Sequence, residues 1–411
     1  MGQTRKLQGR GECKMRGGKL IAANVVVCGD RISSCTLDGD FFAEGSLDAP
    51  RVIDSIETSL GRYGLPFDAD AATARVREIL DEQSDSPVIG ATPQTIVLAV
   101  QRALKTASAD GDSAGAATYE ETSEEHSAET AQVPSRQAAV PAELLEEFRR
   151  RWHAMPLAVV HDKPLQPSRQ MATDHAIAQS VARGDCGPMI RIWEWAASTV
   201  VIGRFQSLSH QVDLEEARRA GVGVVRRVTG GGAMFVEPAN TITYSLYAPL
   251  SLVEGMSIEQ SYRCCDDWIL AALREIGVDA RYEPINDISS SAGKIGGAAQ
   301  RRYLPKDGGP GAVLHHVTMS YDIDAVKMSR ILKVSREKMR YKAVQSAVRR
   351  VDPLRSQSGL GREEIIDSFI TYLLRTIPGA VKASVSDGIA REAAVLDDAR
   401  FSRESWTRGI A

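Results

Sequence analysis

The chain has 411 residues, 43% of them apolar, and its 50 Lys and Arg against 53 Asp and Glu give a formal net charge of -3. That length suits two or three domains with cores of their own, and the balanced charge gives no electrostatic footprint for nucleic acid as a partner. No apolar run approaches the ~18 residues of a membrane span and no apolar stretch follows the basic N-terminus, so the expected location is cytoplasmic, with no membrane partner.

Residues 1–18 are basic and glycine-rich and read as an irregular lead-in. Two β-rich runs from Lys19 to Phe42, joined at Gly29-Asp30, predict a hairpin. Apolar spacing then predicts helices over Pro50 to Leu60 and Ala69 to Glu82, with a third over Thr92 to Leu104, where Thr92 is the N-cap and Pro93 the first helical position. Residues 19–105 therefore form a small α+β domain. From 106 to 140 the chain is Ala, Ser, Thr, Glu and Asp with almost no large apolar side chain, which predicts a disordered acidic linker.

A larger domain spans 141–354. Helices are expected over Ala142 to Trp152, Ser168 to Arg183, Asp213 to Ala220 and Ser257 to Ile276. Strands are expected at Met189 to Trp195 and Thr199 to Ile202, joined by a short turn, and at Thr241 to Tyr247 and Ala312 to Asp322. Ile285 to Ser291 reads as a loop. The tail reads as helices over Ala325 to Leu332, Ser335 to Lys342 and Arg362 to Arg375, so 355–411 is a C-terminal helical segment. Strands alternate with isolated helices without a strand-helix-strand rhythm, which predicts an α+β fold: a mixed, mainly antiparallel sheet backed by helices.

The most informative stretch is RRVTGGGAMFVEPANTITY, Arg226 to Tyr244. Three consecutive glycines lose much backbone freedom on ordering, so they mark either a tight bend in a sheet or a backbone that must approach a ligand closely. Arginines beside them point to an anionic ligand in the second case. A second glycine-rich segment, AGKIGGAAQRR from Ala292 to Arg302, carries Lys294 among small residues, so the pair suits a compact anion held by backbone N–H groups and cations. Neither segment is a P-loop or a dinucleotide fingerprint. Asn286 and Asp287 either cap a turn or place an acid for Mg2+ and a nucleotide. His315 and His316 are adjacent on a strand and point to opposite faces, so they read as core and surface residues rather than shared metal ligands. The six cysteines lack CxxC spacing and read as reduced thiols without a metal, and no base stands near Cys264-Cys265 in the sequence pattern.

In length, order and motif, IGRFQSLSHQVDLEEARRAGVGVVRRVTGGGAMFVEPANTITYS resembles the lipoate-protein ligase family. The resemblance continues through Asn286-Asp287, GKIGGAAQRR, LHHVTMSYDID from Leu314 and SREKMRYKAVQSAVRRV from Ser335. GGKL followed by DGDFF and two helices resembles the family's accessory domain, which in many relatives follows the catalytic domain and here precedes it. The resemblance implies a biotin/lipoate ligase-like catalytic domain that uses ATP to convert lipoate to lipoyl-AMP with release of pyrophosphate. The lipoyl group then passes to a lysine of an acceptor: a 2-oxoacid dehydrogenase lipoyl domain, a glycine-cleavage carrier or a specialised lipoyl protein.

The same resemblance assigns roles. Lys294 is implied as the catalytic lysine, and Arg227, Gly230, Gly231, Gly232, Asn240, Gly296 and Gly297 as substrate-binding. Asn286 and Asp287 are implied at the nucleotide, with Asp287 as a Mg2+ ligand. One departure stands out: many relatives have His-Asp where this chain has Val236-Glu237. Two alternatives remain, an octanoyl or lipoyl transferase working through a cysteine thioester, and a non-catalytic lipoyl-protein binding or assembly factor. The transferase would need a cysteine before the Gly-Lys segment, and no cysteine follows Cys265.

Overall fold

The structure, a computed structural model, describes residues 6–14, 18–43, 52–83, 88–109, 142–291, 293–333 and 353–410. In the N-terminal body, β1 (Lys6–Lys14), β2 (Leu20–Cys28) and β3 (Arg31–Gly39) form an antiparallel sheet in that order. Gly29, at φ +65°, takes the left-handed turn between β2 and β3. Helices α1 (Val52–Leu60), α2 (Ala69–Glu82) and α3 (Pro93–Ala109) close a core with Ile21, Val25, Ile56, Val76 and Ile96. Asp68 caps α2 by accepting from the Ala71 N–H at 2.9 Å. A short pair, β4 (Phe42–Ala43) and β5 (Val88–Ile89), completes this body.

The lead-in proposed for 1–18 needs correction, because Lys6–Lys14 is the strand β1. Its glycines suggest irregular chain by propensity, but their reason is packing. A Cβ at Gly9 would come within 2.0 Å of the Ala103 carbonyl oxygen, and one at Gly11 within 2.2 Å of that of Ala99, so α3 lies directly on the strand. Helix α3 also runs on to Ala109, into the stretch assigned to the linker; residues 110–140 lie outside the described residues.

In the larger body, an eight-stranded sheet has the order β12-β13-β14-β15-β11-β7-β6-β16. Its strands are β6 (Ala158–His161), β7 (Met189–Trp193), β11 (Thr241–Pro249), β12 (Arg281–Glu283), β13 (Asp287–Ser289), β14 (Lys294–Tyr303), β15 (Ala312–Ser320) and β16 (Val381–Lys382). Pairing is antiparallel from β12 to β7 and parallel at β6 and β16, so the sheet is mixed and mainly antiparallel, as its sequence pattern predicts. Alternate residues face two layers. Ile190, Ile192, Tyr244 and Val317 pack with α4 (Ala142–His153), α6 (Ile258–Glu275) and α7 (Arg362–Thr376). Met189, Trp193, Tyr247 and Leu314 pack with α5 (Pro167–Arg183) on the other side.

Three further expectations change. β7 does not pair with β8 (Thr199–Ile202); the turn at 196–198 carries the chain into a second, three-stranded sheet, β10-β8-β9, with β9 (Gly223–Arg226) and β10 (Met234–Val236). Strands buried on both faces carry no alternation to say which sheet they join. The loop expected at Ile285 to Ser291 contains β13. The C-terminal segment 355–411 is not a separate unit: α7 buries Ile365, Ile366, Phe369 and Leu373 in the main core, β16 extends the sheet, and Ile389 and Ala393 pack against the α5 layer. The helix expected over Ser335 to Lys342 lies outside the described residues. Among the described residues no helix is long and apolar enough to cross a membrane.

Candidate functional site

β9 ends at Arg226, and the chain turns through Thr229 and the three glycines into β10. Arg227 is buried and spends its donors on the loop itself: Nε on Thr229 Oγ1 at 3.0 Å, Nη2 on the carbonyls of Gly230 at 2.6 Å and Gly232 at 2.9 Å. In this arrangement it frames the loop instead of reaching toward an anion, and burial pushes its pKa down to about 10. Arg226 is likewise structural. Its guanidinium donates to the carbonyls of Gly203 and Gln206 at 2.9 and 2.7 Å and to that of Thr407 at 2.7 Å.

Behind the loop, Thr229 Oγ1 lies 2.8 Å from His316 Nε2, and His316 Nδ1 lies 2.7 Å from Asp174 Oδ2. Asp174 also accepts from Ser245 and Tyr247, each at 2.6 Å. Burial disfavours the Asp174 charge, yet His316 and these donors outweigh it and hold the carboxyl below its ordinary value. Burial lowers the His316 pKa in turn, with Arg227 and His315 opposing a further positive charge. A neutral imidazole donating from Nδ1 and accepting at Nε2 satisfies every member of the chain. His315 faces the other way, with Nε2 2.7 Å from Asp266. The two histidines do take opposite faces, but both are buried, which corrects the surface role expected for one of them.

Asp287, on β13, pairs across to Gly297 of β14, and its Oδ1 accepts from Lys294 Nζ at 2.7 Å. Gly297 makes room for this pair: a Cβ there would lie 3.3 Å from Lys294 Nζ. Lys294 remains 41% exposed at its side chain, so its ammonium is available to a ligand. Asn286 donates to the Ala298 carbonyl at 2.5 Å, tying the turn to β14. Burial opposes the Asp287 charge, but Lys294, Lys19 and Lys14 hold its carboxyl below the usual range. A single carboxylate fits Mg2+ only where phosphate oxygens and water supply the other ligands, which is the usual mode for that ion. Among the described residues a different group, His161, Glu194 and Glu363, has the spacing for a cation, and Arg362 already sits 2.5 Å from Glu194.

Sequence reasoning named no residue of the N-terminal body at this site. Its Gly39-Asp40-Phe41-Phe42 corner lies on the glycine loop: Gly231 N–H donates to the Phe41 carbonyl at 3.3 Å, Gln206 Nε2 donates to Asp40 Oδ1 at 2.7 Å, and Phe41 stacks on Phe205 at 5.0 Å. A Cβ at Gly230 would come 2.5 Å from the Phe41 carbonyl oxygen, and Gly231 sits at φ +88° with the Phe42 ring beside it. Here the glycines are required by close approach of another backbone. Lys19 lies over the Phe42 ring at 5.6 Å and donates to Asn286 Oδ1 at 2.5 Å. Printed in the sequence as GGKL and DGDFF, these residues were visible as domain markers, but nothing local tied them to Lys294.

Contacts thus run from Gly230 and Gly231 through Phe42 and Lys19 to Asn286, Asp287 and Lys294. Asn240 stands apart, holding its turn by donating to Glu237 Oε2 at 3.1 Å while its carbonyl accepts from Tyr321 and Asp322. Gly296 answers to the neighbouring strand, where a Cβ would meet the Thr318 carbonyl oxygen at 2.7 Å. Val236 is buried in the apolar core and Glu237 pairs with Lys327 at 2.7 Å. None of the six cysteines is in a disulfide; burial pushes the Cys264 thiol up to about 12 and the Cys265 thiol well above its ordinary value, which disfavours the thiolate of each.

A family model described as the lipoyl protein ligase A/B catalytic domain matches residues 166–377. The chain is 28% identical over 257 residues to lipoate-protein ligase A subunit 1 of Thermoplasma acidophilum, across 61% of this chain and 95% of that protein. It is 29% identical over 197 residues to octanoyltransferase LipM of an Exiguobacterium species, across 42% of this chain and 67% of that one. Among solved structures it is similar to a chain of a T. acidophilum lipoylation system, described as a bipartite lipoate protein ligase and its E2 lipoyl domain, with a TM-score of 0.54, 28% identity, and coverage of 62% of this chain and 98% of that one. A lipoate-protein ligase A bound with ATP is similar at a TM-score of 0.51 and 25% identity, across 62% of this chain and 98% of that one.

Proposed function

The chain belongs to the lipoyl protein ligase A/B catalytic-domain family, and from that premise we propose that it is an ATP-dependent lipoate-protein ligase. The observation that carries the reading is the Lys294–Asp287 pair, a half-exposed lysine joined through Asn286, Lys19 and Phe42 to the glycine loop. Relatives solved with ATP and with lipoic acid support both compounds as substrates here.

In the first half-reaction a lipoate carboxylate oxygen bonds to the α-phosphorus of ATP, the bond from that phosphorus to the bridging oxygen breaks, and its electron pair leaves on pyrophosphate. Carboxylate and triphosphate repel one another, so a cation between them lowers the barrier. Lys294 supplies that cation, touching the acyl carbonyl and the α-phosphate. Asp287 would hold Mg2+, which neutralises phosphate charge, while Asn286 orients the nucleotide. The loop of Gly230, Gly231 and Gly232 wraps the acyl-adenylate, with the Gly231 N–H already held by the Phe41 carbonyl, and Arg227 serves by fixing the loop's position. In the second half-reaction the neutral amine of an acceptor lysine bonds to the acyl carbon, AMP departs with the electron pair of the anhydride bond, and the amine proton passes to solvent. No protein nucleophile is needed. The acceptor is a lipoyl domain, a class that a T. acidophilum relative accompanies in its structure. The N-terminal body is the accessory domain of this ligase.

An octanoyl transferase remains the competing reading because LipM proteins are relatives. A thioester route needs a reactive cysteine at the cluster, and no cysteine of this chain takes part in the contacts that join Gly230 to Lys294. Lipoate-dependent pyrophosphate release from ATP decides the matter. The intact protein should release it and Lys294→Ala should not; release of none, with octanoate also tried, would defeat the ligase reading.

A further inference from the structure

Lys19 reaches the cluster from a different body than Lys294, and its path is built. Its backbone N–H donates to the Gly90 carbonyl at 2.9 Å, and a Cβ at Gly90 would come 2.4 Å from the Lys19 side chain. The stem therefore starts against a glycine that must lack a side chain, and its ammonium lies over the ring of Phe42 and ends on Asn286 Oδ1. That is a costly way to place a lysine whose head is half-buried beside two others. Burial above all, with Lys294 and Lys14, opposes its charge and pulls its pKa down to about 8, while Asp287, already paired with Lys294, and Asp40, already bonded to Gln206, favour the charge. Among the described residues, two lysines from the N-terminal body thus approach the pair that Lys294 makes with Asp287.

We propose that Lys19 is a second substrate-contacting lysine, delivered by the N-terminal body, whose ammonium donates to the leaving β,γ-phosphate oxygens of ATP during adenylate formation. This rests on the ligase reading of the same site. ATP carries several more negative charges than the acyl-adenylate left after pyrophosphate departs, so a second lysine on Asn286, beside the Lys294–Asp287 pair, matches the substrate of the first half-reaction and not that of the second. Lys294 meets the groups that remain throughout, the acyl carbonyl and α-phosphate. Lys19 stays protonated through the step; the electron pair of the broken P–O bond resides on the pyrophosphate oxygen that it contacts.

The test compares intact protein, Lys19→Met and Lys19→Arg in two assays: pyrophosphate release with lipoate and ATP, and transfer from pre-made lipoyl-AMP to a lipoyl domain. Lys19→Met should lower kcat/KM for ATP about 10- to 100-fold, as expected for a lost charged hydrogen bond, and leave transfer within about twofold. Lys19→Arg should recover most of the first rate. Pyrophosphate release unchanged in Lys19→Met overturns the proposal while leaving the ligase standing. Equal loss in both assays overturns it in favour of a structural role for Lys19. No release by the intact protein removes the ligase reading and this proposal together, an outcome visible before any variant is made.

Discussion

Thr229 Oγ1 and His316 Nε2 lie 2.8 Å apart, and this contact wires the glycine loop to the buried carboxylate of Asp174. The order of donors is fixed from end to end: Arg227 Nε donates to Thr229 Oγ1, which donates to His316, which donates to Asp174. Thr229→Val keeps the shape and removes both bonds, leaving a buried imidazole nitrogen unpaired. That should cost ~1–3 kcal/mol in urea unfolding and raise the KM for lipoate, because the loop loses its anchor. Thr229→Ser keeps the hydroxyl and should stay near the parent. Equal stability of the two variants would deny the chain its anchoring role.

Acidification should act through the same chain. His316 has a pKa below its ordinary value in the folded protein, so below about pH 6.5 the unfolded chain binds a proton that the folded one resists. Stability is therefore full above that pH and falls as pH drops toward the folded value. Asp174, also depressed, adds a loss of the same sign at lower pH, beginning near the ordinary Asp value of ~4. In His316→Gln the first of these losses should vanish, leaving a flatter curve between about pH 6.5 and 5 than the parent shows. Parallel curves would mean that His316 does not carry the linkage.

The glycine loop offers a test of its partner surface. Gly230 has ordinary φ, so alanine strains nothing locally, yet its Cβ would sit 2.5 Å from a backbone oxygen of Phe41 and 2.8 Å from the Phe42 Cα. Backbone cannot swing aside as a side chain does. At Gly232 the nearest atoms, on Asp40, are 3.7 Å away. Gly230→Ala should therefore unseat the N-terminal body, seen as a larger radius of gyration in small-angle scattering, whereas Gly232→Ala should not. Pyrophosphate release should fall with the first substitution if Lys19 is needed at the site. Unchanged scattering from Gly230→Ala would contradict the docked arrangement.

Much of this was legible in the residues themselves. The hairpin at Gly29-Asp30, helix α2 with its Asp68 cap, and the long α6 follow from turn chemistry and periodicity that act within a few residues. Lys294 and Asp287 were singled out as candidates, and the structure pairs them. What stayed hidden depends on partners distant in the chain. Arg227 looks like an anion ligand until Gly230 and Gly232 are seen to consume its donors. β8 leaves the main sheet although it is as fully buried as β7, and Lys19 meets Asn286 across 267 positions of sequence. Val381 and Lys382 are exposed, so only their pairing with β6 shows them to be sheet.

Strand β1 was hidden for the same reason, and its glycines give the sharpest test of the N-terminal body. At Gly11 a Cβ would lie 2.2 Å from the Ala99 carbonyl oxygen and 2.3 Å from the Ala103 amide nitrogen, both helix backbone. Helix α3 would have to rise off the sheet, loosening Ile96, Ala99 and Ala103 from their contacts with the strands. Overpacking of this kind costs ~1–3 kcal/mol, and here no side chain can rotate to relieve it. By contrast, Gly64, with nothing within 4 Å of its Cβ position, provides a control in the same body. Gly11→Ala should lower the unfolding midpoint of the N-terminal body clearly, and Gly64→Ala should leave it nearly unchanged. If both variants melt together with the parent, β1 does not carry α3 as described, and residues 1–18 are the irregular lead-in that their composition suggests.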